Sequence, residues 1–308
     1  MTNLISDNAS DEFVNHLLDA CTTGKIDQLL ALIQESQNYN TRSVPNAEYL
    51  LETAAKSGQA KAIQVLFKNL PQCQQPRPWE PINLEDEELS NGEEFPKHWS
   101  RSPDGPIHAA LEGAEPIKIL QIFFDAGMSA DYDLDKAGNL ISVAICSLES
   151  IKLTEFLLES GASPNGQYLY QTFIAKAASQ PTSELLGLLL RHGATLEGYP
   201  LRSAAEYRRI ANAELLLNHG ADINEVFTET DTLADPPCEV PQGTALHSAI
   251  TGGWQDLPAT NSSADMVRFL LNHGAKADIL NVDGKTAFQL AQGQDDVLKA
   301  FSDHGIKE

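Results

Sequence analysis

Cysteine is scarce in this chain. The four residues Cys21, Cys73, Cys146 and Cys238 lie far apart and form no C-x-x-C pair. A disulfide framework needs dense cysteines in an oxidising compartment, and a zinc site needs close ligand pairs, so neither is expected. The thiols are read as reduced, two of them inside helices. Basic residues are also few: 21 Lys and Arg against 43 Asp and Glu, a net charge of −22. That balance disfavours nucleic acid and anionic membrane, whose phosphates would be repelled instead of shedding counterions onto lysines. No apolar run reaches the ~18 residues of a membrane span. The acidic start, from Met1 to Glu12, lacks the basic region and apolar stretch of a secretory signal. Cytoplasmic or nuclear residence, or both, is expected.

Catalytic signatures are missing too. There is no G-x-S-x-G elbow, P-loop, H-E-x-x-H or strand-linked G-x-G-x-x-G. The acidic run Glu85-Asp-Glu-Glu88 with Glu93-Glu94 sits in a Pro-rich stretch and reads as a solvated charge run. No enzymatic activity, cofactor or metal is expected.

What the chain does have is an internal period. Leu-Leu-x-x-Gly recurs as Leu157-Leu158-Glu-Ser-Gly161, Leu189-Leu190-Arg-His-Gly193, Leu216-Leu217-Asn-His-Gly220 and Leu270-Leu271-Asn-His-Gly274, with Phe123-Phe124-Asp-Ala-Gly127 before them. The glycines are spaced by 34, 32, 27 and 54 residues. A second motif reads Gly243-Thr-Ala-Leu-His-Ser-Ala249, Asp283-Gly-Lys-Thr-Ala-Phe-Gln-Leu-Ala291 and Asp104-Gly-Pro-Ile-His-Ala-Ala110. Near the start, Ala20-Cys-Thr-Thr-Gly24 and Ala54-Ala-Lys-Ser-Gly58 repeat at a spacing of 34 and fit the turn between paired helices.

These residues resemble the ankyrin repeat, a unit of about 33 residues with a Thr-Pro-Leu-His-x-Ala core. The resemblance implies an all-α solenoid of about eight helix pairs with β-hairpin finger loops. Inner helices are expected around Ala20, Ala54, Ala110, Ala144, Ala177, Ala204, Ala249 and Ala291. Thr244 and Thr286 suit N-caps. The Leu-Leu pair should close the outer helix on its buried side, and the glycine after it should take the left-handed conformation that ends the helix. One pair cannot bury its apolar face alone, so pairs must stack.

Departures from the period divide the chain. Residues 1–69 hold two N-terminal helix pairs, 70–103 an acidic Pro-rich insert, and 104–224 the central repeats. Residues 225–242 form an acidic finger insert. Residues 243–308 hold the C-terminal repeats, including an inter-helix loop near 252–263 and a polar cap where Ser302 replaces an apolar residue. The 27-residue step ending at Gly220 requires a clipped hairpin near Gly198-Tyr-Pro200. This uneven spacing is similar in style to ankyrin-only proteins of filamentous fungi.

Six of the eight histidines belong to the repeat. His108 and His247 take the motif position, which the resemblance implies ties finger to helix. His192, His219, His273 and His304 precede the helix-ending glycine, where a cation suits the helix dipole. Function is therefore sought elsewhere. The insert 70–103 carries seven acidic and three basic residues, and 225–242 carries five acidic and none basic, so together they hold −9 of the −22 charges. Five of seven tyrosines (Tyr132, Tyr168, Tyr170, Tyr199 and Tyr207) lie between positions 132 and 207, and tyrosine at exposed rigid positions suits interfaces. The candidate partner-binding set is Tyr132, Asp133, Asp135, Tyr168, Tyr170, Glu206, Tyr207, Phe227, Glu229, Asp231 and Trp254. The expected function is a protein-interaction module or scaffold with an acidic, tyrosine-bearing concave surface, acting as a monomer and favouring a basic partner. Two other readings are a dedicated chaperone or inhibitor of one basic protein, and an accessory enzyme or small-molecule binder with a pocket between inserts and groove.

Overall fold

A computed structural model describes residues 9–39, 44–70, 105–134, 138–168, 171–231, 238–252 and 261–307. Asp135, Tyr170, Trp254 and the insert from 71 to 103 lie outside the described residues, and Tyr168, Glu229 and Asp231 are described by backbone alone. The chain forms two units, Met1–Ser163 and Pro164–Glu308.

The described residues of the first unit form four helix pairs: α1 (Asp11–Thr23) with α2 (Ile26–Ser36), α3 (Ala47–Lys56) with α4 (Ala60–Asn69), α5 (Pro106–Glu112) with α6 (Pro116–Asp125), and α7 (Leu140–Ser142) with α8 (Ile151–Glu159). A wide π-turn, Val143–Ser147, continues α7. Ala144 is seven residues from the start of α8, one more than separates Ala20 from the start of α2. A π-turn can accommodate an extra residue without breaking the helix. Inner helices α1, α3 and α5 pack in succession, as do outer helices α2, α4, α6 and α8.

The second unit opens with β1 (Gln167–Tyr168) and β2 (Gln171–Thr172), followed by α9 (Phe173–Ser179), α10 (Glu184–Arg191), α11 (Pro200–Glu206) and α12 (Ile210–Asn218). A hairpin, β3 (Phe227–Asp231) and β4 (Cys238–Gly243), leads into α13 (Ala245–Thr251), α14 (Ser263–Asn272), α15 (Ala287–Leu290) and α16 (Asp295–Asp303). The inner helices α9, α11, α13 and α15 pack side by side. The acidic finger insert is thus an antiparallel hairpin in the register Phe227↔Gly243 to Asp231↔Cys238, with a bulge after Phe227. Where a clipped hairpin was expected, Gly198 and Tyr199 turn left-handed at φ 80° and 57°, and Pro200 starts α11 directly.

Packing explains the motifs. All eight motif alanines, from Ala20 to Ala291, are fully buried, because a methyl group is what lets neighbouring inner helices approach closely. Phe123, Leu157, Leu189, Leu216, Leu270 and Phe301, the first members of the apolar pairs, are also fully buried. Among the second members Leu158 is buried as expected, whereas Phe124, Leu190, Leu217 and Leu271 are only half buried. They sit one residue around the helix, at the rim, where Phe124 stacks on Phe156 of the next outer helix at 5.7 Å. A rim position needs no apolar side chain, which is why Ser302 is tolerated in α16.

The helix ends follow local chemistry. Ser10, Asn46, Asn139, Ser150, Thr172, Ser262 and Thr286 each accept an amide of the first turn. After α12, Gly220 has φ 91° and Ala221 donates back to the Leu216 carbonyl at 3.1 Å, a closure open to glycine at little cost. Three of the four histidines before the glycines hydrogen-bond their own helix end: His219, His273 and His304 place Nδ1 at 2.8, 2.7 and 2.8 Å from the carbonyl four residues back.

Candidate functional site

Neighbouring fingers are joined by a recurring side chain. Asp131 accepts the Ser163 amide, Asn165 the Thr195 amide and Asn224 the Lys276 amide, each at 2.8 Å. All three lie four residues after a helix-ending glycine, Gly127, Gly161 and Gly220. The short acceptor reaches across to the next repeat and sets the spacing of the loops. Sequence reading missed this set, although its register was visible as Gly-x-x-x-Asx.

The motif histidine joins finger to helix at one position. His247, 3% exposed, receives the Thr244 amide on Nδ1 at 3.1 Å, so Nε2 bears the proton and donates to the Lys285 carbonyl at 3.3 Å. Burial pushes its pKa down and keeps the ring neutral. His108 instead stands 3.7 Å from Glu112 on its own helix.

Two expected partner residues are corrected. Tyr132, read as exposed, is 9% exposed, and Phe227 is 7% exposed. Each leads into the next inner helix, and at that point the finger folds its apolar side chains inward beneath the turn. Phe227 packs against Tyr199, ring centroids 6.0 Å apart, and beneath Arg202, whose guanidinium carbon is 3.9 Å from the ring centroid. Tyr199 is half buried, and its hydroxyl lies 3.4 Å from Thr228 Oγ1, so it is occupied by the neighbouring finger. Asp133 is exposed and pairs through its backbone with Asn139.

The end of α11 holds the accessible part of the expected set. Glu206 and Tyr207 are half buried. Burial pushes the Glu206 carboxyl up, against the pull of the Arg202 charge, and burial with the Glu206 charge pushes the Tyr207 hydroxyl up. The following turn is tied down on both sides. Arg208 donates Nε to Ser263 Oγ at 2.8 Å, and Arg209, buried at 2% exposure, donates Nε to the Ser179 carbonyl at 2.9 Å. Asn212 adds hydrogen bonds of 2.9 Å to the carbonyls of Ala178 and Gln180. Arg209 and Asn212 thereby satisfy the C-terminal end of α9. Sequence reading passed over these arginines because no repeat motif marks them.

Among the described residues no three or more His, Cys, Asp or Glu side chains gather as metal ligands. Burial pushes the Cys21 thiol up to about 12, which makes it unreactive, and no helix described is long and apolar enough to cross a membrane.

No protein-family model and no curated protein sequence matches the chain. Solved structures do. An ankyrin repeat domain from Acinetobacter baumannii AYE aligns at TM-score 0.52 and 24% identity, covering 66% of this chain and 98% of that one. The human ASB11 ankyrin repeat domain aligns at TM-score 0.52 and 20% identity, covering 84% and 98%. The ankyrin repeat domain of Bcl-3, a member of the IkappaB protein family, aligns at TM-score 0.51 and 22% identity, covering 65% and 86%. With its paired helices, buried motif alanines and left-handed glycine closures, the chain has the ankyrin-repeat fold.

Proposed function

We propose that the chain is a protein–protein interaction module, a scaffold without catalytic activity, that holds a partner protein on the acidic, tyrosine-bearing face of its inner helices and fingers. One observation carries this reading. Stacked helix pairs and their fingers take up the described chain, so what remains available for function is their shared surface, the surface repeat arrays use for binding. Glu206 and Tyr207 at the end of α11 are the centre of the proposed surface, with the β3–β4 hairpin at its rim. The partner is a basic protein drawn by the net charge of −22, and the chain acts as a monomer in the cytoplasm or nucleus.

Affinity purification with the full chain followed by mass spectrometry identifies the partner. Tyr207→Ala is then expected to weaken its binding about tenfold, the cost of losing an aromatic anchor, with the melting temperature nearly unchanged. Equal affinity in the variant would remove this surface from consideration. Truncating Tyr132, which is buried, would instead open the core. A second reading, a dedicated chaperone or inhibitor of one basic protein, is favoured by the hairpin segment 225–242, with five acidic and no basic residues. A single basic partner released at moderate salt distinguishes it from a general scaffold.

A further inference from the structure

The fingers of the second unit are uneven. The first pairs β1 with β2, the third pairs β3 with β4, and the last closes through Leu280 and Thr286. The second, residues 194–199, has no cross-strand pair, since the chain turns at Gly198 and Tyr199 straight into α11. A gap is left in the row. On one side of the short finger lies an open cleft of about 320 Å³, lined by Gln167 and Thr172 of the first finger and by Thr195 and Glu197 of the second. On its other side stands β3, whose Phe227 and Thr228 lie against Tyr199. β3 is therefore the strand of its hairpin that faces the short finger.

Pro241 fixes which backbone groups of the hairpin face outward. It is paired with Thr228 but has no N–H, so this is a pair whose members exchange no hydrogen bond. Alternation then turns the N–H and C=O of Thr228 and Thr230 away from β4, and the backbone groups of Glu239 and Pro241 away from β3. The outer edge of β4 thus lacks a donor at Pro241, which blunts it. The outer edge of β3 keeps its donors. Among the described residues no backbone hydrogen bond joins Thr228 or Thr230 to another element.

We propose that the β3 edge seats an extended, basic segment of the partner protein, added as a strand where the short finger leaves room. The inference rests on the interaction reading and specifies how the partner is held. Main-chain hydrogen bonds to Thr228 and Thr230 supply the attachment. Charge selects the segment: 225–242 carries Glu225, Glu229, Asp231, Asp235 and Glu239 with no Lys or Arg, so it attracts a strand that bears lysine or arginine. A second copy of this chain is a poor occupant, because it would set the same acidic strands against each other.

The test is selection of a displayed library of random linear peptides on the full chain, with Thr230→Pro and Glu239→Pro in parallel. These residues are paired across the hairpin, and each holds its N–H outside the cross-strand ladder. Proline therefore removes one outward donor, from β3 or from β4, and leaves the ladder its hydrogen bonds. Circular dichroism with thermal melting checks that each variant folds. Wild-type binders are expected to be rich in Lys or Arg and to bind Thr230→Pro about tenfold or more weakly, with a clearly smaller loss for Glu239→Pro. Methylating the backbone nitrogens of a selected peptide one at a time should weaken binding at alternate positions, because successive N–H groups of a strand point to opposite sides. Equal losses in the two proline variants, full binding by Thr230→Pro, or methylation effects without alternation overturn the strand seat and leave the interaction reading standing. Binders without a basic preference overturn the choice of occupant, as does self-association of the chain that Thr230→Pro abolishes. A library without binders, on a chain that captures a protein, also removes the strand seat. If the chain captures neither peptide nor protein, both readings fail.

Discussion

Leu216 and His247 show how much single side chains decide in this fold. Leu216 is fully buried at the end of α12, where truncation leaves a cavity that the rigid helix pair cannot collapse around. Leu216→Ala is expected to cost ~2–5 kcal/mol in chemical denaturation. Leu217, half buried at the rim, should cost clearly less, and that contrast was hidden in a sequence where both positions read Leu. His247 makes a prediction in pH. Its folded pKa lies below the ordinary 6.5, so the folded state binds fewer protons than the unfolded chain. The stability it supplies is fully present above pH 6.5 and is lost as pH falls through that value toward the depressed one. Protonation also removes the acceptor for the Thr244 amide. The last repeat offers the control, since Gln289 closes the same capping box with Thr286 at 3.0 and 3.2 Å without titrating. Between about pH 7 and about pH 5 the wild-type melting temperature should drop more than that of His247→Gln.

At the scale of elements, local chemistry and its neighbours contribute separately. Helix starts were legible because Thr or Ser with a first-turn partner is a local pattern, as at Thr286. Helix ends were legible because only glycine turns left-handed cheaply, as at Gly220. The π-turn after α7 was not marked by any motif: the same seven-residue step from Ala177 to the start of α10 is made without one, so spacing alone does not encode it. The β3–β4 hairpin is separable from the stack. Phe227 and Gly243 are paired across its base, so a two-residue turn joining them would excise residues 228–242 without straining α13. This deletion is expected to keep the far-UV helical signal, because it retains Phe227 and its packing on Tyr199 and Arg202. Partner affinity should fall, and an unchanged affinity would take the hairpin out of the binding surface.

Across the whole molecule, the net charge of −22 acts in two opposite directions. It repels itself within the folded chain, and on the proposed reading it is what draws a basic partner in from solution. Added salt screens both, over a Debye length of about 8 Å at physiological strength. Thermal melts across a sodium chloride series should show the free chain growing more stable while affinity for a basic partner declines. A decline in both would mean that self-repulsion is not a significant term.

Sequence alone determined the period, the helix pairing and the burial of the motif alanines and first leucines, because these depend on residue identity at regular spacing. Tertiary structure alone decided that Tyr132 and Phe227 turn inward, that Asp131, Asn165 and Asn224 link successive fingers, and that Arg202 stacks on Phe227. Those outcomes depend on groups some 25 to 52 residues away in sequence. No local pattern encodes the approach of such distant groups; only the stacking of one repeat on the next brings them within a few ångströms.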